Sequence, residues 1–275
     1  MEEQEERVNE FDILVIDADS LMYKIAYVYQ TPNQLTNALD HKIEDIIRKV
    51  GADETHVIIK GKDNFRYQCD PEYKGNRADT IEPEVKDRIE QLYDYARTFS
   101  VISDGCEADD ICSILVHSSI VTGKRVCVAH IDKDLDMIPG YHYNYGKNKH
   151  YYMHPYDSYR FLMAQCLAGD ATDNIKGIKG MGMLTASKVI GNTTNFNLLP
   201  KIIQVWKDKV PDKWQEEFVK TVNCIMLRTE TEDLRPLTYD EIMERLKWDV
   251  EREKVSEENN NTVDVSREPV SESGE

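Results

Sequence analysis

No apolar run in these 275 residues approaches the roughly 20 that a membrane-spanning helix needs. The opening MEEQEERVNE is acidic and has no apolar stretch, unlike a signal peptide, so a cytoplasmic protein is expected. The six cysteines (69, 106, 112, 127, 166 and 224) never form a CxxC pair. Reduced, mostly buried thiols are expected, with neither disulfides nor structural zinc. No internal repeat is present. Acidic residues outnumber basic ones, 51 to 34: the formal net charge is −17, which argues at first against a nucleic-acid partner. Much of that charge is terminal, however. Residues 1–10 carry −4 and residues 251–275 carry −5, leaving −8 for 11–250. Local rather than net charge guides DNA, so a basic track remains possible on such a chain.

What the chain has instead is carboxylates gathered at short motifs. Asp17 and Asp19 follow the apolar FDILVI, and Glu107, Asp109 and Asp110 open another apolar run. Asp132 and Asp134 follow RVCVAHI, Asp170 ends LAGD, and Asp173 precedes Asn-Ile. Such acids repel one another without a counter-ion, and hard divalent ions, Mg²⁺ or Mn²⁺, take oxygen ligands. Two such ions are the usual apparatus of phosphodiester cleavage.

The hydrophobic pattern places these motifs. Strands are predicted at 11–16, 55–61, 101–105 and 124–132, with an edge hairpin over 141–154. Helices are predicted over 20–30, 38–51, 82–99, 107–123 and 158–169, and the chain from there to about Trp248 reads as all-helical. Residues 62–80 are polar, basic and turn-rich. Strands alternating with helices give an α/β fold, a mostly parallel central sheet covered on both faces. Ligands then bind at the carboxyl ends of the strands, where the acids fall. The polar, acidic 251–275 is expected to be a disordered tail, and 1–10 a short acidic one.

Acids at a helix start commonly serve only the helix dipole. Three in four residues exceed that need, and Glu107 and Asp110 share a helical face. Asp132 and Asp134 point to one side of an extended segment, and Asp136 continues the spacing. Gly177-Ile-Lys-Gly180-Met-Gly182, followed by MLTASKVI, fits a helix-hairpin-helix turn whose amides cradle a phosphate, with Lys176, Lys179 and Lys188 around it. Tyr73, Lys74 and Arg77, with Arg66 and Lys62 upstream, form a basic segment with an aromatic. The histidines are not expected to make a metal site; His150 and His154 lie in a strand-like aromatic stretch.

Together these motifs resemble the flap endonuclease (5′-3′ exonuclease) family, nearest to bacteriophage 5′ nucleases and the 5′-nuclease domain of bacterial DNA polymerase I. The resemblance runs from Phe11 to Leu237. It implies a PIN-like 5′-nuclease fold: a nuclease domain over 11–165 with a helical arch at 62–100, then a helical DNA-binding subdomain over 166–250. It places metal ligands at Asp17, Glu107, Asp109, Asp110, Asp132, Asp134, Asp170 and Asp173. Lys24, Lys74 and Arg77 fall at phosphate-binding catalytic positions. Arg66, Tyr73, Lys176, Gly177, Lys179, Gly180, Gly182 and Lys188 fall at DNA-contacting ones. Two Mg²⁺ (or Mn²⁺) and a K⁺ at the hairpin are implied. So is a monomer acting on DNA with 5′ flaps, nicks or RNA primers, alongside a replication polymerase or single-strand-binding protein. With no polymerase domain attached, a phage source and the bacterial host cytoplasm are expected. One position departs: the family has an Asp seven residues before the arginine of Phe65-Arg66, and here that residue is Ile59. A structure-specific DNA-binding protein with weakened cleavage is therefore the alternative. A PIN-type ribonuclease would usually lack the GIKGMG turn.

Overall fold

A strand buried on both faces must be apolar throughout, and FDILVID meets that condition up to its last residue. It forms β1 (Phe11–Asp17), followed by α1 (Asp19–Val28) and α2 (Pro32–Val50). The second helix starts with Pro32 behind a Thr31–Gln34 capping box and stops at Gly51 in the left-handed region. The computed structural model describes residues 9–77 and 80–248. The tail expected over 251–275, and most of that over 1–10, lies outside the described residues.

The chain continues through β2 (Ala52–Lys60), the short α3 (Arg66–Cys69), α4 (Pro83–Ala96), β3 (Val101–Ser103), α5 (Ala108–Val121) and β4 (Val126–His130). A 3₁₀ turn over Lys133–Met137 leads to the hairpin of β5 (Gly140–Asn144) and β6 (Lys149–Met153). The sheet order is β3-β2-β1-β4-β5-β6, parallel except for the β5–β6 pair.

Alternation along the central strands sorts the core into two layers. Leu14, Ile16, Val57 and Ile59 meet α1, α2 and α4 on one face. Ile13, Val15, Ile58, Val126 and Val128 meet α5 on the other. Beyond the sheet lie α6 (Pro155–Ala168), the two-residue pair β7 (Gly169–Asp170) and β8 (Ile175–Lys176), α7 (Met183–Ile190), α8 (Asn195–Lys209), α9 (Trp214–Ile225) and α10 (Tyr239–Arg245). These helices share a core of their own around Met163, Leu198, Ile202, Trp206 and Phe218. From α6, Tyr159 and Met163 also join it.

The six cysteines are all free, and no helix among the described residues is long and apolar enough to cross a membrane.

Candidate active site

A 910 Å³ cleft opens where β1 and β4 end and α5 begins. Its lining includes Asp17, Asp19, Glu107, Asp109, Asp132, Asp134, Asp170 and Asp173, together with Lys74 and Arg77. Parallel strands that all end on one side of the sheet deliver the first group. The β7–β8 ladder, packed back beneath α9, delivers the last two acids.

The electrostatics divide the acids into three kinds. Asp17 and Asp109 have no cationic partner among the described residues. Burial, then the neighbouring Asp19 and Asp132, push the Asp17 carboxyl up to about 7. Asp109 is driven well above the usual range by burial and by Asp17, Asp132 and Glu107. Asp134 rises to about 6 through burial and Asp132, partly offset by the Gln165 amide.

A second kind is already paired. Lys133 Nζ lies 3.0 Å from Asp170 Oδ2, and that bond together with the Thr172 N–H outweighs burial to hold Asp170 low. Lys74 donates to Glu107 and lies 3.4 Å from Asp173, while Arg77 also donates to Asp173. Burial works against the Lys74 ammonium, but Glu107 and Asp173 raise its pKa on balance. Lys74 sits at a φ of 56°, unusual for a non-glycine residue. Its N–H donates to the Asp173 carbonyl at 2.8 Å, which fixes that conformation.

Asp110 is of the third kind, and here the shared-face argument for Glu107 and Asp110 fails. Asp110 is 0 % exposed, and its two oxygens take Arg66 Nη1 and Nη2 at 2.5 and 2.9 Å, the Arg228 N–H at 3.1 Å and the Glu107 N–H at 3.1 Å. No lone pair faces the cleft, so Asp110 is a capping and salt-bridge residue, not a metal ligand.

Arg66 is corrected with it. It is 1 % exposed, and its Nε donates to the Cys224 carbonyl at 2.9 Å. It therefore cannot reach a phosphate; it ties α3 to α5 and α9. Tyr73, expected at a DNA-contacting position, is 2 % exposed. Its hydroxyl donates to Glu107 Oε2 at 2.9 Å and lies 3.3 Å from Asp173 Oδ2, so it orients two cleft acids. Lys24 is exposed, lies outside the cleft lining and rests 5.9 Å from the Tyr145 ring centroid.

Ile59 is 0 % exposed and sits in the core against α1, α2 and α4. The acid at that end of β2 is Asp19, from the first turn of α1. Its Oδ1 accepts the Lys60 N–H at 2.8 Å and the Tyr93 hydroxyl at 3.0 Å. Burial still raises its pKa against those bonds.

The glycine turn follows α6 and leads into α7. A Cβ on Gly177 would fall 2.2 Å from the Ala168 carbonyl carbon, so this glycine serves helix–turn contact. Gly180 has a φ of +79° and, like Gly182, Lys179 and Lys188, is exposed. Lys176 is exposed and paired to Glu72 at 2.5 Å.

The sequence reading missed one group. His130 and His142 meet Asp136 across the β4–β5 pair, with ligand atoms all within 4.8 Å, a group able to hold a metal ion. The sequence reading weighed only His150 and His154, which are not in this group; the signal lay in strand pairing, not in spacing along the chain.

Comparison with known proteins bears on the family and the fold. The chain is 27 % identical over 226 residues to DNA polymerase I of Bacillus caldotenax, spanning 26 % of that protein's length. It is 24 % identical over 222 residues to Flap endonuclease Xni of Yersinia pestis (strain Pestoides F), with 74 % of this chain and 85 % of that one covered. The bacteriophage T5 flap endonuclease, solved in a pseudo-enzyme–product complex with DNA and metal ions, shares the fold at a TM-score of 0.66. Its identity is 17 %, covering 90 % of this chain and 99 % of that one. Residues 12–152 match the 5′-3′ exonuclease N-terminal resolvase-like domain, and the chain belongs to that family.

Proposed function

We propose that this protein is a divalent-metal-dependent 5′-nuclease that hydrolyses phosphodiesters in DNA bearing 5′ flaps, nicks or RNA primers during replication, from a phage source. The observation that carries this reading is the pair of carboxylates without a cationic partner among the described residues, buried Asp17 and half-buried Asp109, in a cleft lined by six further acids, Asp19, Glu107, Asp132, Asp134, Asp170 and Asp173. A protein that only bound DNA would gain nothing from a repelling charge aimed at the phosphate.

The donor set fits hard cations, being all oxygen and electrostatically underpaired. Asp17, Glu107, Asp109 and Asp132 would hold one ion, and Asp132, Asp134, Asp170 and Asp173 a second. Such ions, when bound, supply a water of lowered pKa and neutralise charge on the leaving oxygen. Asp19 stands in for the carboxylate that Ile59 lacks. Lys74 and Arg77, held at the rim by Glu107 and Asp173, turn to the scissile phosphate and offset its transition-state charge. Tyr73 keeps Glu107 and Asp173 oriented as those cations leave.

Gly180, Gly182, Lys179 and Lys188 grip the duplex backbone downstream without reading sequence, with K⁺ as the ion suited to the exposed turn carbonyls. Lys24 extends the phosphate track outside the cleft. The nuclease domain is the sheet with its helices, and the duplex-binding subdomain is the helical core beyond it. A monomer suffices, since the cleft takes every lining residue named here from one chain; a polymerase or single-strand-binding protein would deliver the substrate.

The test is a 5′-labelled flap with Mg²⁺ or with EDTA. Wild type should cleave only with Mg²⁺. Asp132→Asn should lose cleavage yet bind the flap as well or better, because a neutral amide removes repulsion. Tight flap binding without cleavage by wild type would favour the DNA-binding alternative.

A further inference from the structure

We propose that His130, His142 and Asp136 form a second, separate metal site that takes a borderline divalent ion of the zinc class, seated behind the loop that carries Asp132 and Asp134. The proposal is independent of the nuclease reading. Both rings are fully buried, His130 and His142 each at 1 % exposure. The outer nitrogen of each is committed to a backbone carbonyl: His130 Nδ1–H donates to Asp132 O at 2.5 Å, and His142 Nε2–H to Ile138 O at 2.8 Å. That fixes both tautomers and leaves the inner nitrogens, His130 Nε2 and His142 Nδ1, facing one another at 2.8 Å. The Tyr151 hydroxyl donates to Asp136 Oδ1 at 2.6 Å and lies 3.1 Å from His130 Nε2.

Proton counting shows what is missing. Four contacts each require a proton: the two to carbonyls, the one between the rings, and the one from Tyr151 to Asp136. Two neutral imidazoles and one phenol supply three. Carbonyls and a carboxylate supply none. The ring-to-ring contact is then two lone pairs pressed together. A second proton on either ring would bury an imidazolium, which is costly. A metal cation between the inner nitrogens resolves the conflict, with Asp136 as third ligand and Tyr151 or water as fourth.

The geometry suits such an ion. All three ligand atoms lie within 4.8 Å of one another. Tetrahedral zinc with bonds of about 2.0–2.1 Å places its ligands about 3.3 Å apart, so the inner nitrogens need to part by about half an ångström. Ligating histidines characteristically donate their other N–H to a carbonyl or carboxylate, the pattern both rings show here. Two imidazoles with one carboxylate select zinc-class ions over Mg²⁺, whereas the all-oxygen cleft also suits Mg²⁺ and Mn²⁺. Bound there, the ion would tie the 3₁₀ turn over Lys133–Met137 to β4 and β5 and so hold the loop of Asp132 and Asp134 in place.

The test is Zn²⁺ uptake by the full chain in excess Mg²⁺, which occupies the oxygen cleft. One equivalent of zinc should bind, and its K-edge X-ray absorption spectrum should show scattering from two imidazoles. His142→Gln and Asp136→Asn should each weaken zinc binding by about 100-fold or more, beyond the ~10–100-fold seen for outer-shell partners. If His142→Gln fails to fold, the absorption spectrum of wild type and the Asp136→Asn titration still decide. Oxygen-only scattering, zinc affinity unchanged in Asp136→Asn, or no zinc uptake with a shared proton between the rings by NMR would each overturn the site.

Discussion

Asp17 gives the sharpest energetic prediction. Its folded pKa is about 7, against 3.8 for the free side chain. Between those values the native state holds a proton that the unfolded chain has released. Stability therefore falls as pH rises through that window, and the loss is complete above the folded value. A shift of about three units corresponds to at most ~4 kcal/mol at pH 8 without metal. Asp17→Asn removes the charge and should recover part of this. The gain corresponds to a rise of at most roughly 8–16 °C in Tm for a chain of this size. The assay is thermal denaturation in EDTA at pH 5 and pH 8, then with Mg²⁺. Wild type should be less stable at pH 8 than at pH 5 in EDTA, Asp17→Asn should lose most of that difference, and Mg²⁺ should stabilise wild type far more than the variant. If Asp17→Asn is no more stable than wild type in EDTA at pH 8, the charge-repulsion account of the cleft is wrong.

Three further outcomes follow from the same geometry. Arg66→Ala leaves Asp110 buried without its partner and should cost about 3–5 kcal/mol by urea unfolding; a loss of DNA affinity with stability unchanged would restore Arg66 to the interface. Ile59→Asp buries a carboxylate in the α1/α2/α4 core and should destabilise the fold without raising activity at limiting Mg²⁺, whereas Asp19→Asn should raise the Mg²⁺ needed for half-maximal cleavage; the reverse pattern would show that β2 rather than α1 supplies the acid. Gly180→Val forces a β-branched residue to a φ of +79° and should weaken duplex binding alike on unrelated sequences, measured by fluorescence anisotropy; a strongly sequence-dependent loss would count against a backbone cradle.

The layered α/β architecture was legible because its signals are local. FDILVI and RVCVAHI are apolar runs with an acid following, and parallel strands leave those acids on one side. Three features were not legible. Asp109 and Asp110 are adjacent and chemically identical; Arg66, distant in sequence, decides that one is a salt-bridge anchor and the other a cleft acid. Helical spacing alone put Glu107 and Asp110 on one ion, but the capping box turns Asp110 back onto the Glu107 N–H. On the proposed reading Asp19 of α1 supplies the acid that Ile59 lacks, and the structure sets its Oδ1 against the Lys60 N–H at the end of β2. The β4–β5 pairing brings His130 and His142 together, and no motif along the chain announces it.

The central claim is that the cleft carboxylates hold two divalent ions between the strand ends. Anomalous diffraction from a crystal soaked in Mn²⁺ tests this most directly. Two peaks should appear about 4 Å apart among Asp17, Asp109, Asp132, Asp134 and Asp170, the spacing of two-metal phosphodiesterases. An empty cleft at saturating Mn²⁺, or density confined to the histidine site behind it, would contradict the account.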